Sequence, residues 1–560
     1  MARENAAGAL MHLALDPANQ VAIAKGNGIA PLVTILDEGT AIAHEHAAEA
    51  IARLAVGNEE NQAQSAKHLV ALLGTGGEGA QKRAAHVMSK LAKHNAGSPV
   101  IMVNAGAISP LVTLLSIGNL EVKHEAASAL SNLSLHSPST QLAIATALVG
   151  LIGVGSAEAQ EHVAKLLLTL ATDAENRAAI AKAGAIPQLV VQLRGAGNSS
   201  AKAQKLAAAV LSHLSGASEN NVDAIATAGA IKPLVALLSS EAAHAEAYAA
   251  AVLADLAQRS TKNKGAVLAE GGIMPLVALL HKDKFATKTR AEGAHALRCL
   301  STEQPETQRA VADAGAFKPL VVLLDEDDDY ARRRAAGAIA ALSAGSQDNQ
   351  DIVAKYNGIG KLVELLSPSL SDEVRGEAAA TLAILARNNK HNQDKVTAED
   401  GIGPLVALLR AENAQQEQQA AQAAATLWSL AAMHYENQVA IADGGGIAPL
   451  VAVLGMNDEA QEQAAGALAA LALDNDENVS SIAKLVVSLL GSADSSVATK
   501  AAHAISRLAM ETSTNQAAFS KAGGVELLVT FLDRDIGVAP LPLPLSVTTP
   551  HNDTQPGEGT

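Results

Sequence analysis

Three stretches of the sequence hold residue types that could do chemistry, and each meets a specific objection. The glycines Gly74, Gly76 and Gly79 in GTGGEG match the G-x-G-x-x-G pattern that cradles a dinucleotide pyrophosphate between a strand and a helix. That chemistry needs an acid about 20 residues further on, at a second strand, to hold a ribose hydroxyl. The chain there reads KHNAGSP, with neither an acid nor a strand pattern, so a loop between two helices is expected. The run Asp325-Glu326-Asp327-Asp328-Asp329 offers oxygen ligands for calcium, yet Tyr330 stands at the sixth position, where a calcium loop turns on glycine. Acids ahead of a helix complement its dipole, and Arg332, Arg333 and Arg334 follow, so a solvated capping cluster is expected instead. Histidines such as His44 and His46 recur without the H-E-x-x-H spacing of a zinc site, and neither a G-x-S-x-G elbow nor a P-loop occurs. The sequon Asn198-Ser199-Ser200 carries no weight without a secretory route. No catalytic, cofactor-binding or metal-binding residue is assigned, and the chain is read as non-enzymatic, without a small-molecule substrate.

The elements that would position any site must be built from an unusual composition. Hydrophobic residues make up 49% of the chain but aromatics only 2%, with Trp428 the single tryptophan. The core must therefore rest on Ala, Leu, Val and Ile, which suits closely packed helices. The net charge of −16 disfavours phosphate backbones, hence nucleic acid, and weakly favours basic segments. One cysteine, Cys299, excludes an internal disulfide framework and any cysteine-rich zinc site, consistent with a reducing compartment. No secretory core opens the chain, Ala2 replaces the glycine that N-myristoylation requires, and no run is long enough to cross a bilayer. The expected address is the cytoplasm, with the nucleus open.

Self-similarity organises the chain. NGIAPLVTIL begins at Asn27, AGAISPLVTLL at Ala105, AGAIKPLVALL at Ala228 and GGGIAPLVAVL at Gly444. The Leu that precedes Val marks the register at Leu32, Leu69, Leu111, Leu148, Leu189, Leu234, Leu276, Leu320, Leu362, Leu405, Leu450 and Leu485, in steps of about 35 to 45 residues. Each unit reads as three helices. A short first helix opens near Asn-Gln and closes at glycine, which tolerates a left-handed backbone. A second begins with Pro in its first turn and continues as PLVxLL. A third is Ala-rich, as in Ala464–Ala472 (AAGALAALA), where small residues let neighbouring helices approach. No unit buries its apolar faces alone, so the units must stack.

The copies at Leu69, Leu148 and Leu485 lack the AGAIxP stretch, and their first two helices are expected to fuse or lose a turn. The chain opens within a unit, since Ala6–Ala14 already reads as a third helix; a lost upstream portion or a partner is expected to cover that edge. Residues 1–533 form the repeat array, and 534–560 read as a disordered Pro-rich tail whose Pro540, Pro542 and Pro544 lack P-x-x-P spacing.

These strings resemble the armadillo-repeat family. The resemblance covers roughly residues 5 to 533 and implies an all-α, right-handed superhelical solenoid of about 12–13 repeats. HEAT repeats, usually two-helix units without the Gly-Ile-x-Pro-Leu-Val string, are the alternative. The family implies a non-enzymatic scaffold or adaptor holding extended or helical segments of other proteins along a concave groove lined by third helices. In importin alpha proteins that groove carries a Trp and, four residues later, an Asn. The AAxALxxL register places Glu49 and Arg53, His86 and Lys90, Ser128 and Asn132, Lys165 and Thr169, and Ala209 and His213 at those positions. Ala251 and Asp255, then His295 and Cys299, continue the row; from Gly337 to Ala470 it is nearly all small, and it closes at His503 and Arg507. The Trp is absent throughout and the Asn survives only as Asn132, which argues against an import receptor.

Arg53, Lys90, Asn132, Lys165 and His213 make a polar to basic track suited to an acidic peptide, or an ordinary solvated surface. Trp428, three residues beyond Ala425, lies beside the small-residue stretch, where it anchors a helical partner or packs as core. The layout is also similar to vacuolar armadillo adaptors, which are membrane-tethered through an acylated N-terminus, and to ubiquitin-ligase arms joining armadillo repeats to a U-box; neither device lies in these residues.

Overall fold

A computed structural model of the chain describes residues 1–535 apart from 96, 136, 196–199, 241–244, 412 and 493–494, so the expected tail lies outside the described residues beyond 535. The chain divides into two compact units, Met1–Leu342 and Ser343–Thr560. Among the described residues all regular structure is α-helical, and in both units it repeats in threes.

The unit built from Lys390–Ala398, Ile402–Leu408 and Ala414–Ala431 explains the pattern. Asn389 starts the first helix by accepting a hydrogen bond from the Asn392 amide at 3.1 Å. The helix ends at Asp400, whose φ of +58° is left-handed and turns the chain sharply into the second helix. Pro404 sits in that helix's first turn, where its missing N–H breaks no helical bond. Ile402, Leu405, Val406 and Leu408 are buried. Asn413 caps the third helix by accepting from the Gln415 and Gln416 amides at 3.0 Å each. The third helix buries Ala420, Ala421, Ala423 and Ala424 and packs against the third helices on either side, Asp372–Ala386 and Asp458–Ala472.

The same corner recurs in both units at Asn27, Gly106, Gly184, Gly229, Gly271, Gly315, Asn357, Gly445 and Gly523, all with positive φ. Gly, Asn and Asp are the residues that adopt this conformation at least cost. Where the chain offers none of them, the corner disappears. ENQAQSAKHLVALLGT continues as one helix, Glu59–Thr75, and Asp476–Leu490 and Pro138–Val149 are likewise single. Gly74 lies in the last turn of Glu59–Thr75 and Gly79 in the first turn of Glu78–His94, with Gly76 and Gly77 as the short link between the two helices. Helix Ala2–Leu13 packs against Ala41–Leu54 as third helices pack elsewhere.

The Asn-Gln signature has a physical cause. The buried Asn donates its Nδ2 to the carbonyl seven residues back, near the end of the preceding third helix. Asn61 reaches Leu54 at 2.8 Å, Asn392 reaches Leu385 at 2.9 Å and Asn515 reaches Leu508 at 2.8 Å. Helix C-termini leave carbonyls unpaired, and these side chains satisfy one of them. The following Gln reaches forward in some units, to the third helix of its own unit, Gln350 donating to the Ile384 carbonyl at 3.0 Å and Gln393 to Ser429 at 2.7 Å; in others it reaches back seven residues, Gln62 to Ala55 at 2.8 Å and Gln516 to Ala509 at 2.9 Å.

A second left-handed corner joins third to first helices, at Gly57, Gly345, Asn388 and Asp474 but also at Met433 (φ +54°). The Met433 side chain is 91% exposed and makes no compensating contact with the core. A left-handed residue with a Cβ costs about 1–2 kcal/mol, against up to about 1 kcal/mol of extra chain entropy lost by glycine. Met433→Gly is expected to raise stability by about 0.5–1 kcal/mol, read from the urea midpoint; a lower midpoint would refute the strain.

Candidate functional site

The row of third-helix side chains is where the sequence placed a partner, and its first members are tied up among themselves. Arg53 donates Nε to Glu49 Oε1 at 2.9 Å and Nη1 to the Met11 carbonyl at 2.9 Å. Lys90, from the next third helix, pairs with the other oxygen of Glu49. The Lys90 bond, with Arg53 beside it, holds the Glu49 carboxyl below its ordinary range. Asn132 donates to Ser89 Oγ at 2.7 Å and to the Ser89 carbonyl at 3.3 Å, and Ser89 Oγ lies 2.9 Å from Ser128 Oγ. Arg53, Lys90 and Asn132 thus bridge successive units. Any partner there would first have to displace these bonds.

Two clefts open further along the same face of the first unit. The first, about 320 Å³, is lined by Ser128 and Asn132, by Glu161, His162 and Lys165 of the next third helix, and by Lys202 of the one after. His124 and His162 meet edge to face with ring centres 6.2 Å apart. Glu161 is held by Lys202 at 2.8 Å and Ser200 at 2.6 Å. Lys165 is exposed, and among the described residues no carboxylate lies within ion-pair distance of it. The second cleft, about 440 Å³, lies between third helices Ala201–Ser215, Ala245–Arg259 and Thr287–Ser301. Its walls are Lys205, His213, Tyr248, Lys288 and Glu292 over a floor of Ala247 and Ala251. Burial, then the charges of Arg177 and Lys288, lower the proton affinity of His213.

Beyond the second cleft lies a network that the sequence reading did not anticipate. Arg334 donates Nη1 to His295 Nδ1 at 2.9 Å and Nη2 to the Tyr330 hydroxyl at 3.1 Å, with its guanidinium 4.8 Å from the Tyr330 ring centre. The Tyr330 hydroxyl donates to Glu292 Oε1 at 2.8 Å. Cys299 Sγ lies 3.7 Å from His295 Nδ1, and burial pushes its thiol up to about 11, which disfavours the thiolate form. These partners stand 38 or 39 residues apart, about one period. Comparing successive units column by column for complementary groups would have found them.

The bond from Arg334 fixes the His295 proton on Nε2, and burial, then Arg334 and Arg298, lower its pKa from 6.5 to about 4. The unfolded chain takes up this proton near 6.5 and the folded one does not, so the stability tied to neutral His295 is complete above 6.5 and is lost as pH falls toward 4. Burial raises the carboxyls of Glu292 and Asp255, whose contributions have the opposite sign, present at low pH and lost as pH rises. In a nitrogen NMR titration His295 is expected to remain the Nε2–H tautomer down to about pH 4; titration near 6.5 would refute the network.

The acidic run divides its labour. Asp328 Oδ1 caps its helix by accepting from the Ala331 amide at 2.8 Å, and Asp329 pairs with Arg332 at 3.1 Å, as a capping cluster should. Glu326 departs from that expectation. It turns back to the preceding unit, where it pairs with buried Arg290 at 2.9 Å and with Lys282 at 2.8 Å. The Lys282 and Arg290 bonds bring its pKa down to about 2. No group of three or more possible metal ligands occurs among the described residues.

In the second unit the row is small, and Trp428 stands beside it with 36% of its surface exposed. Its ring lies across Gly466 of the next third helix, so close that an added Cβ there would stand 2.6 Å from Trp428 Cε3. The tryptophan is thus part core, part surface.

The Armadillo/beta-catenin-like repeat family matches residues 95–135, 173–216 and 346–387, each one full three-helix unit. Among solved structures, an engineered protein is 30% identical with a TM-score of 0.61, covering 73% of this chain and 98% of its own. A designed armadillo repeat protein is 26% identical with a TM-score of 0.40, covering 43% of this chain and 99% of its own. No curated protein matches the chain. No single helix among the described residues is long and apolar enough to cross a membrane. The matched units share their left-handed corner and Ala-rich third helix with most of the units between them, and the chain belongs to the armadillo-repeat family.

Proposed function

We propose that this protein is a non-enzymatic scaffold that holds segments of other proteins along its third-helix face. The observation that carries the reading is the make-up of the two clefts: apart from Ala286 at a helix start, every residue lining them belongs to a third helix of consecutive units. A surface formed by one repeated element suits a ligand that is itself linear, because each unit offers one more step of the same contact. The armadillo fold is in general a protein-interaction fold, which supports the class of partner.

A photo-crosslinking residue at Thr169 or Ala425, on third helices, is expected to capture protein adducts in the cytosol of the source cell. The same residue at Thr34 or Met274, exposed on second helices, is expected to capture few. Equal capture from both faces would sink the assignment.

A further inference from the structure

We infer that the face formed by third helices Ala157–Leu170 to Thr287–Ser301 selects an extended acidic segment, its carboxylates meeting Lys165, Lys205 and Lys288 in turn. This rests on the scaffold reading and specifies the ligand of that same face. Lysines without a carboxylate within ion-pair distance also stand elsewhere on the chain, Lys67, Lys182 and Lys232 among them, so those that in addition line a cleft are the informative ones. Arg53, Lys90, Lys82 and Lys202 are each within ion-pair distance of a glutamate. Among the described residues Lys165, Lys205 and Lys288 have no such partner, and all three line the clefts. The carboxylates nearby are already engaged: Glu161 by Lys202 and Ser200, Glu292 by the Tyr330 hydroxyl, Asp255 by the Ser215 hydroxyl at 2.5 Å. The lowered proton affinity of His213, to which Arg177 and Lys288 contribute after burial, is consistent with a positive local field.

Spacing sharpens the inference. Neighbouring packed helices lie about 8–10 Å apart, and an extended chain advances about 3.3 Å per residue, so each unit spans about three ligand residues. Lys165 and Lys205 are one unit apart, and Lys205 and Lys288 two. The ligand therefore carries acids at roughly i, i+3 and i+9. Between the last two, the floor of Ala247 and Ala251 beside the Tyr248 ring admits an apolar side chain.

The test uses the full-length chain and a fluorescein-labelled synthetic peptide with Glu at i, i+3 and i+9 and Leu at i+6, followed by fluorescence anisotropy. Binding that weakens with salt is expected, and roughly tenfold or greater loss in the Lys165→Glu/Lys205→Glu/Lys288→Glu variant. The charge-matched control Lys67→Glu/Lys182→Glu/Lys232→Glu, exposed on other helices, is expected to bind nearly as the parent does. Equal loss in the control would reduce the effect to net charge and overturn the inference. Equal binding of a peptide with Gln for Glu would overturn acidic selectivity while leaving the scaffold reading intact. So would a single-stranded RNA homopolymer that outcompetes the peptide on the parent and is lost on the cleft variant. No binding of either peptide overturns the inference outright.

Discussion

Replacing Glu326 with alanine is expected to lower the opening free energy of helix Thr287–Ser301 by about 3–5 kcal/mol, the cost of stranding a buried charge. Arg290 is 1% exposed, and among the described residues its guanidinium is held by two acceptors, the Leu280 carbonyl at 3.2 Å and Glu326 at 2.9 Å. Glu326 lies 36 residues away, in the link between the second and third helices of the next unit, so the pair also links two repeats. Removing the carboxylate leaves a full positive charge inside a layer of Ala and Leu. Lys282 and Thr287 lose a partner as well, but both are at the surface edge and can turn to water. A competing account, in which Glu326 is only a solvated helix-start acid, predicts about 0.3–1 kcal/mol. Hydrogen exchange of the Thr287–Ser301 segment separates the two, because it reads local opening rather than unfolding of the whole chain. Arg290→Met in the Glu326→Ala background is expected to restore most of the loss, since a buried ion pair exchanged for apolar packing is often neutral. A drop below about 1 kcal/mol in the single variant would mean that the pair contributes no more than a surface one.

How much of this was legible in the sequence follows from which forces are local. The PLVxLL and AAxALxxLA strings report helix period and burial, and both are properties of a few turns; the three-helix unit and its corner residues were therefore readable. Fusion at Leu69 and Leu485 was readable for the same reason, because a missing glycine or asparagine is a local fact. The track Arg53, Lys90, Asn132, Lys165 and His213 was read from its column alone, as if each side chain faced only solvent or ligand. Glu49 was named in the same pair as Arg53, yet its capacity to accept from both Arg53 and Lys90 depends on the neighbouring unit. Glu326 toward Arg290, Tyr330 toward Glu292 and Arg334 toward His295 act across the same distance of about one period. In a stacked array the nearest neighbours of a residue lie one repeat away, and single-unit reading omits them.

Alanine at Gly466 is expected to change sign with its neighbour, and the single tryptophan makes that change visible. In an isolated helix Gly→Ala gains about 1 kcal/mol. Here the added Cβ would stand 2.6 Å from Trp428 Cε3 and 2.7 Å from Cδ2 and Cζ3, against the face of a rigid ring rather than a flexible chain end. Overpacking of this kind costs about 1–3 kcal/mol. The second term equals or exceeds the first, so Gly466→Ala is expected to destabilise the second unit by up to about 2 kcal/mol, and to shift Trp428 emission to the red as the ring moves toward water. In the Trp428→Ala background the obstruction is gone and only the helix term remains, so the same substitution should stabilise by about 1 kcal/mol. The cycle thus yields a coupling equal to the overpacking term, about 1–3 kcal/mol, above what non-contacting residues show. If Gly466→Ala stabilises in both backgrounds with unchanged emission, the ring does not rest on Gly466. Trp428 would then be free to swing into a bound partner, and the glycine would be an incidental small residue of the row. If the sign inverts, Gly466 is the seat that holds Trp428 half-exposed on the third-helix face. The tryptophan then meets a ligand as a fixed surface, with little side-chain entropy left to lose.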